Sequence, residues 1–428
     1  MEPVASRPKF GTDGWRAIIG EDFNIYNCLI IVKSLLETIK EESLSFAIGY
    51  DTRFLSKDIA KIISNYLAYM GMKVILSDRP VPTPVTSFTV KNLGLDYGLI
   101  ITASHNSSKW NGIKIKNSAG QSIDDENIEL LSSAINNVFL SEKEVSLLSS
   151  LEPQDGVSIK KFLPEYIDSI KKFIDLKKIQ NSNLNIIVDC MHGTSSLIMT
   201  ELINGGNSKI KELNNESNPE FPGIKQPEPI DENLTLLKKT VTDLNADLGF
   251  GFDADSDRVG VIDDSGIYQD APYTFCTIAE HILGTRNEKK SISTTISMTS
   301  NIDKVAKKYG VDCFRTKIGF KYVAPSMQEN QSILGGEESG GFSYSPHLNE
   351  RDGIISALLI LEKISTSKLK TSEIFHKEYE GYGNLKFKRK DIELNDEVKN
   401  KYSLFISNFR ANSLKTSKIL SFDSTDGL

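Results

Sequence analysis

A serine beside a histidine is the first feature of this chain with residue types suited to chemistry. Ser104 and His105 follow the apolar run 99–101, so a buried strand is expected to end in a polar loop that presents the serine hydroxyl. Serine is a weak nucleophile unless a base, a cation or a metal activates it. An isolated Ser-His pair is usually an ordinary turn after a strand, so its meaning depends on the other motifs of the chain.

A group of three alternating aspartates, Asp253, Asp255 and Asp257, is the second feature. In an extended segment their carboxylates would emerge on one side and repel one another unless a cation neutralised them. Oxygen-only ligands of this kind suit Mg²⁺. A calcium-binding helix–loop–helix motif is excluded, because Arg258 stands where that loop needs glycine and a strand-like segment follows. A solvated acidic turn is the remaining alternative, and the glycine- and phenylalanine-rich segment 249–252 argues against it.

The glycine-rich segment 335–341 contains residues that could recognise hydroxyl groups. Its glycines allow the backbone to approach a ligand closely, and its carboxylates and serine, Glu337 and Ser339 among them, can accept hydrogen bonds from vicinal hydroxyls or donate to them. Acidic glycine-rich turns are also common surface connections, so this segment is a weak signal when taken alone.

Basic residues near these motifs could bind an anion. Arg16 follows a turn with two glycines, although a structural hairpin would explain that pattern equally well. A simple pair with a neighbouring carboxylate would explain Arg53. For His347, a surface position and a position in the binding cleft are equally plausible. The complete set of basic candidates is Arg16, Lys114, Arg258, Lys317, His347 and Arg351.

The composition bounds the class of protein. A chain of 428 residues is expected to form three or four domains, and its 39% hydrophobic and 25% charged residues are typical of soluble globular proteins. The net charge of −7 and the lack of a basic stripe argue against nucleic-acid binding. No apolar run approaches the roughly 20 residues that span a bilayer, the segment 1–9 does not resemble a signal peptide, and the four cysteines have no metal-binding spacing. We therefore expect a cytoplasmic enzyme that binds no membrane.

The same strand–helix–strand layout occurs three times along the chain. In each copy a glycine follows the helix, which is typical of a helix C-terminus. Apolar strands that alternate with helices predict mostly parallel sheets covered by helices, and in such domains ligand-binding groups gather on the loops after the strands. The three strands that open these units are expected at 46–48, 185–189 and 291–296.

Taken together, the motifs resemble those of the α-D-phosphohexomutase superfamily, the phosphoglucomutases and phosphomannomutases, in the family's order from Phe10 to about Arg351. The resemblance implies three tandem similar α/β domains with mixed, mostly parallel sheets, followed by a truncated C-terminal α+β domain. The expected ranges are 1–150 for the phosphoserine domain, 151–267 for the metal-loop domain, 268–367 for the sugar-loop domain and 368–428 for the incomplete fourth domain.

The family's chemistry would give each motif a role. Ser104 would carry a phosphoryl group, and with Asp253, Asp255 and Asp257 it would hold Mg²⁺. His105 or Lys114 would act as acid and base at the serine. The residues expected to bind the substrate are Arg16, Arg258, Lys317, Glu337, Ser339, His347 and Arg351.

The implied reaction interconverts hexose 1-phosphate and hexose 6-phosphate through a bisphosphate intermediate, with hexose 1,6-bisphosphate as activator. Glucose phosphate is the first expectation, mannose phosphate the second and glucosamine phosphate the third. The reason is that the Glu-Glu-Ser of the glycine-rich segment 335–341, here called the sugar loop, resembles the phosphoglucomutase version. The resemblance also departs from the family at two places. Gly341 stands where phosphomannomutase-like members often have histidine, and the Arg-Ser-Gly-Thr-like phosphate-binding loop of the fourth domain is not found. A weak mutase is therefore expected, and a catalytically impaired phosphosugar-binding protein is the alternative. The expected partners are small-molecule hexose phosphates, and the chain is expected to be a monomer or homodimer.

Overall fold

The computed structural model describes residues 6–11, 13–39, 41, 43–146, 155–383, 401, 413–414 and 417–418. The chain divides into two compact units, 1–384 and 385–428. In the second unit, Ser413–Leu414 pairs antiparallel with Ser417–Lys418. Most of the expected fourth domain, and with it the expected truncation, lies outside the described residues.

The first sheet has six strands in the order β1-β5-β4-β2-β3-β6. The strands β4, β2, β3 and β6 run parallel to one another, while β5 pairs antiparallel with β4 and with β1. The strands are β1 (Trp15–Ile18), β2 (Ser45–Tyr50), β3 (Lys73–Ser77), β4 (Tyr97–Ile101), β5 (Trp110–Lys116) and β6 (Val157–Lys160). The helices are α1 (Ile25–Ile39), α2 (Ser56–Tyr69), α3 (Thr83–Leu93), α4 (Asp125–Asn137) and α5 (Glu142–Ser146).

The second sheet has five strands in the order β11-β10-β9-β7-β8, with a parallel centre and an antiparallel hairpin at one side. Its strands are β7 (Asn185–Asp189), β8 (Lys209–Leu213), β9 (Leu248–Phe252), β10 (Val259–Asp263) and β11 (Tyr268–Gln269). The helices before and within it are α6 (Leu163–Phe173), α7 (Leu176–Gln180), α8 (Ile198–Ile203) and α9 (Thr235–Asp243). The first strand has the bounds expected from its apolar run.

The third sheet has four strands in the order β13-β12-β14-β15, of which β15 is antiparallel. Its strands are β12 (Ile292–Thr295), β13 (Cys313–Thr316), β14 (Leu334–Gly336) and β15 (Phe342–Tyr344). Its helices are α10 (Ala271–Glu280), α11 (Asn301–Tyr309), α12 (Phe320–Glu329), α13 (Gly353–Ser365) and α14 (Thr371–Tyr382), and a π-helical turn, His281–Thr285, extends α10. The three mixed, mostly parallel α/β sheets confirm the expected fold class.

The domain boundaries at 150, 267 and 367 stay a prediction. Strand β6 lies beyond residue 150, yet it pairs in parallel with β3 and forms an edge of the first sheet. The first sheet therefore uses the chain as far as Lys160.

The cores explain why these sheets hold the loops firmly. One hydrophobic cluster fills the first domain, around Phe46, Ile48 and Leu99. A second cluster is shared by the second and third sheets and includes Phe252 and Phe342. The strands that lead into the predicted functional loops are thus anchored in buried apolar side chains.

The glycines after two helices adopt the backbone conformation expected of them. Gly71 follows α2 with φ +84°, and Gly310 follows α11 with φ +69°. A residue with a Cβ is strained in this region, so glycine ends these helices at low cost. Within the described residues, no helix combines the length and apolar character needed to cross a bilayer. The cysteines are free thiols; Cys28, Cys190 and Cys276 are buried, and Cys313 is half-buried.

Candidate active site

Ser104 lies in the loop that follows β4. Its backbone is left-handed, with φ +51°, and its amide N–H donates to Oγ1 of Thr102 at 2.8 Å. The side chain is buried; its Oγ donates to Oδ2 of Asp253 at 3.0 Å and lies 3.4 Å from Nδ1 of His105. The expected polar loop after a buried strand is confirmed, and it brings the serine hydroxyl to the aspartate group.

Arg53 contacts the backbone of this loop, the serine loop between β4 and β5. Its Nε lies 3.1 Å from Oδ2 of Asp51, and both side chains are fully buried, so the expected pair with a neighbouring carboxylate is confirmed. Burial raises the pKa of Asp51, and the guanidinium opposes that shift. The guanidinium also donates to four backbone carbonyls of the serine loop and the start of β5, those of Ser104, Asn106, Ser107 and Trp110. Arg53 therefore fixes the backbone that presents Ser104.

The three aspartates follow β9, and their carboxylates converge through a turn. Ser256 has φ +57°, which folds the segment back, so the expectation of an extended segment is wrong although the expected convergence is correct. One carboxylate oxygen from each of Asp253, Asp255 and Asp257 lies within 4.8 Å of the other two. Thr83, at the start of α3, donates its Oγ1 to Oδ2 of Asp255 at 2.6 Å and its N–H to the Asp255 carbonyl at 2.9 Å.

The aspartate group fits a divalent cation. All three residues are fully buried, and Oδ1 of Asp255 and of Asp257 has no hydrogen-bond partner among the described residues. A buried carboxylate oxygen without a partner is costly unless a ligand satisfies it. Burial and the charges of Asp257 and Asp255 raise the pKa of Asp253, so a bound cation would favour its ionised form. Three converging carboxylates are ligands that suit Mg²⁺.

Lys114, on β5, places a positive charge among these acids. Its Nζ lies 2.7 Å from Asp257, 2.8 Å from Asp255 and 3.0 Å from Asp13. Burial lowers the pKa of Lys114, but the three carboxylates outweigh it and raise the pKa. Asp13 was not singled out from the sequence. The signal that could have found it is an acid between the glycines of the turn that precedes Arg16.

Arg351 connects this cluster to the sugar loop. Its guanidinium lies 2.7 Å from Asp13, 2.9 Å from Asp257 and 3.3 Å from Glu337, and its side chain is almost fully buried. Burial raises the pKa of Glu337 to about 7, although the charges of Arg351 and Arg258 lower it. Loops from all three sheets therefore meet at one arginine.

Arg16 and Arg258 border the same cluster. Arg16 donates to Oδ1 of Asn106, in the serine loop, at 2.8 Å, and lies 3.3 Å from Asp13. Arg258 donates its amide N–H to Oδ1 of Asp253 at 3.0 Å, while its guanidinium pairs with Glu228 at 3.3 Å. Both arginines have positions that fit the anion-binding roles predicted for them, and those roles stay predictions.

His347 is not part of this cluster. Its ring stacks on Phe88 with centroids 5.3 Å apart, its Nδ1 lies 3.2 Å from Oγ of Ser169, and its Nε2 lies 3.4 Å from Oδ2 of Asp352. The side chain is fully buried and packs between elements of different domains. The expected surface position is wrong, and the expected substrate contact stays a prediction.

The remaining candidates lie on the third sheet. Lys317 is exposed, and its Nζ lies 5.6 Å from the centre of the Tyr322 ring. The hydroxyl of Ser339 is buried without a hydrogen-bond partner among the described residues, so it is available to a ligand. Glu338 accepts hydrogen bonds from Thr295 and Ser297 and is thereby turned toward its own sheet.

A buried serine beside three converging carboxylates, surrounded by guanidinium and ammonium groups, defines a site suited to phosphoryl transfer. Family models for domains I, II and III of phosphoglucomutase/phosphomannomutase match residues 7–141, 164–266 and 271–382. The chain belongs to the phosphoglucomutase/phosphomannomutase family, and the expectation of an intramolecular phosphotransferase of this family is confirmed.

Relatives and a solved structure agree with this membership. The chain is 32% identical to a phosphoglucosamine mutase of Methanococcus vannielii over 84% of this chain and 78% of the relative. It is 30% identical to a phosphoglucosamine/phosphogalactosamine mutase of Sulfurisphaera tokodaii over 86% of this chain and 79% of the relative. A crystal structure from Thermus thermophilus, provisionally described as a phosphomannomutase, superposes with a TM-score of 0.82 at 27% identity, covering 89% of this chain and 85% of that one.

Proposed function

We propose that this chain is a phosphohexomutase that moves a phosphoryl group between Ser104 and a hexosamine phosphate, through a bisphosphate intermediate. The observation that carries the proposal is the position of Ser104 Oγ, 3.0 Å from Asp253 in a group of three buried aspartates with two unpartnered oxygens among the described residues. A solvated acidic turn would not place a buried serine hydroxyl against that group.

The residues around Ser104 supply the proton and the charge that the transfer needs. When the phosphoryl group leaves Ser104, its Oγ must gain a proton, and when the group returns that proton must leave. His105, whose Nδ1 is 3.4 Å from Oγ, is placed for both transfers. Lys114 is held by three carboxylates that favour its charged form, so it acts as a fixed cation and not as a base.

Mg²⁺ held by Asp253, Asp255 and Asp257 would neutralise charge on the transferring phosphoryl group. The chain contributes the dry environment that strengthens this effect, because all three carboxylates are buried. Arg16 and Arg258 border the same pocket and are suited to orient the phosphate oxygens. Glu337 and Ser339 are suited to hold sugar hydroxyls in either orientation of the intermediate.

A hexosamine phosphate is preferred over glucose phosphate because of the relatives. The two relatives described above are named for phosphoglucosamine, one of them also for phosphogalactosamine. A relative from Thermococcus kodakarensis, 29% identical over 89% of this chain, is named phosphoglucomutase/phosphomannomutase, so glucose and mannose phosphates are the second candidates. The order expected from the sugar-loop residues is therefore revised.

A coupled assay tests the proposal. Purified protein with Mg²⁺ would be primed with glucosamine 1,6-bisphosphate or glucose 1,6-bisphosphate and supplied separately with the 1-phosphates of glucosamine, glucose and mannose. We expect 6-phosphate formation, fastest with glucosamine, and peptide mass analysis that locates phosphate on Ser104. Phosphate on another residue, with full turnover by Ser104→Ala, would reject the proposal. Binding without turnover by any substrate would favour an impaired phosphosugar-binding protein.

A further inference from the structure

We propose that Lys116 and Glu350 are positioning residues that hold Arg351 against the sugar-loop carboxylate Glu337, and that the absent side chain of Gly341 leaves the space Arg351 needs. This proposal rests on the proposed function, because it assigns residues that act on the same site. It gives Arg351 two separate supports, one electrostatic and one steric.

The electrostatic support is a buried ion pair that joins two sheets. Nζ of Lys116, on β5, lies 2.7 Å from Oε2 of Glu350, and both side chains are almost completely buried. Ser122 donates its N–H to the same oxygen at 3.2 Å. The other oxygen, Oε1 of Glu350, accepts the amide N–H of Arg351 at 3.0 Å and lies 3.8 Å from its Nε. The carboxylate of Glu350 is therefore fixed by Lys116 on one side and orients Arg351 on the other.

The steric support is the glycine that ends the sugar loop. A Cβ built on Gly341 would lie 2.3 Å from Cδ of Arg351 and 2.9 Å from Cγ. Contacts under about 3 Å do not occur for real Cβ atoms, so a side chain at 341 would push the arginine stem aside. The stem of Arg351 thus fills the place of the missing side chain, and its guanidinium reaches Glu337 at 3.3 Å.

The arrangement fixes the sugar loop relative to the aspartate group. The same guanidinium that contacts Glu337 also contacts Asp257 of the metal loop and Asp13 of the first domain. Displacing Arg351 would therefore disturb Glu337, and it would also take a positive charge away from Asp257 and Asp13. At metal sites, mutating a partner that orients a ligand in this way typically lowers metal affinity or activity by about 10- to 100-fold.

Two variants test the two supports separately. Glu350→Gln keeps the shape and the acceptor for the Arg351 amide but removes the charge that faces Lys116. Gly341→Ala adds one methyl group where the arginine stem lies. For both variants we expect crystal structures with the Arg351 guanidinium moved away from Glu337, and a fall in kcat/KM of about tenfold or more. Lys116→Arg, which keeps the cation, is expected to retain more activity than Lys116→Met.

Matched controls separate positioning from general effects on the fold. Asp125→Asn weakens another contact between the domains of the first and third sheets, the pair of Asp125 with Lys321 at 2.5 Å, which does not involve Arg351. Gly381→Ala adds a methyl group where no described atom lies within 4 Å. Both controls are expected to stay within about twofold of the unaltered protein in kcat/KM, since surface substitutions away from buried polar networks usually have small effects.

The outcomes decide the proposal in each case. If Arg351 keeps its place in both Glu350→Gln and Gly341→Ala, or if Asp125→Asn loses as much activity as Glu350→Gln, the positioning role is rejected. If one variant fails to fold, the other still decides. If the unaltered protein shows no mutase activity, the proposed function fails, while the crystal structures still report whether Lys116, Glu350 and Gly341 position Arg351.

Discussion

The serine loop after β4 and the sugar loop after β14 occupy equivalent places in two similar sheets, yet they are held in different ways. Arg53 donates to four backbone carbonyls around the serine loop and is itself paired with buried Asp51. The sugar loop closes on itself, with the N–H of Glu337 donating to the Gly341 carbonyl at 3.1 Å, and is joined to the cluster through the side chain of Arg351.

This difference suits the two tasks of the site. A phosphoryl-carrying serine must return to one place in each half of the reaction, and backbone hydrogen bonds provide such a fixed frame. A loop that accepts a sugar in two orientations needs side-chain contacts that can be remade. The serine loop is thus fixed through four of its backbone carbonyls, whereas the sugar loop relies on the side chain of Arg351 and on a backbone hydrogen bond from the Val259 N–H to the Gly340 carbonyl at 3.1 Å.

The largest expected effect follows from removing the serine hydroxyl. Ser104→Ala should lower kcat by at least about four decades, because removing a nucleophile removes the covalent path and not merely a contact. Steady-state assays with a bisphosphate primer measure this. The fold should be unaffected, because Arg53 holds the carbonyl of residue 104 and not its side chain. A loss below tenfold would mean that another residue carries the phosphoryl group.

Arg53→Met tests the frame of the serine loop. It should destabilise the protein by about 3–5 kcal/mol, because it leaves the buried Asp51 carboxylate without its cation. Chemical denaturation measures the free energy of unfolding. Lys238→Met is the matched control, since the pair of Lys238 with Asp231 is exposed and should contribute at most about 1 kcal/mol. Equal losses of unfolding free energy in the two variants would mean that the buried pair of Arg53 with Asp51 stabilises the protein no more than an exposed pair does.

Asp255→Asn tests the aspartate group that both loops face. It keeps the shape but removes one charge from a residue whose Oδ1 has no partner among the described residues. Mg²⁺ affinity, measured by calorimetric titration, should fall at least about tenfold, and kcat/KM by about two to three decades. Asp264→Asn, in the hairpin turn after β10, is the control and should leave Mg²⁺ affinity unchanged. Unchanged affinity in Asp255→Asn would show that Asp255 does not bind the cation.

The strands, and the convergence of the motif loops at one site, could be predicted from the sequence. The individual side-chain contacts between those loops could not. Apolar runs and glycines indicate where strands end, and strand ends of parallel sheets collect functional loops. The contact of Arg351 with Asp13 joins distant parts of the chain, and local patterns carry no information about such a pair. His347 illustrates the same limit, because its stacking on Phe88 depends on how the turn after β15 packs against α3 of the first domain.

The aspartate group shows how a correct result can follow from an incorrect local structure. A spacing of two residues predicts one face of an extended segment, and it fits a tight turn equally well. The left-handed backbone of Ser256 makes the segment a turn, and serine is not one of the residue types from which this conformation can be predicted. The convergence was predictable because three like charges in an apolar setting need a common cation.

The smallest expected effect compares two adjacent glutamates of the sugar loop. Glu337→Gln should lower kcat/KM by about one to two decades, because a hydrogen bond to a charged group is worth about 1.5–3 kcal/mol. Burial, opposed by Arg351, raises the pKa of Glu337 to about 7, so its ionised form is lost as the pH falls through 7. The unaltered protein should therefore gain activity as the pH rises through about 7, and Glu337→Gln should lose that dependence.

Glu338→Gln is the matched control and should change kcat/KM by less than about threefold, because Glu338 accepts hydrogen bonds from Thr295 and Ser297 of its own sheet. Rate measurements from about pH 6 to pH 8 check both variants, and a larger loss in Glu338→Gln would show that the sugar-binding position has been placed one residue too early.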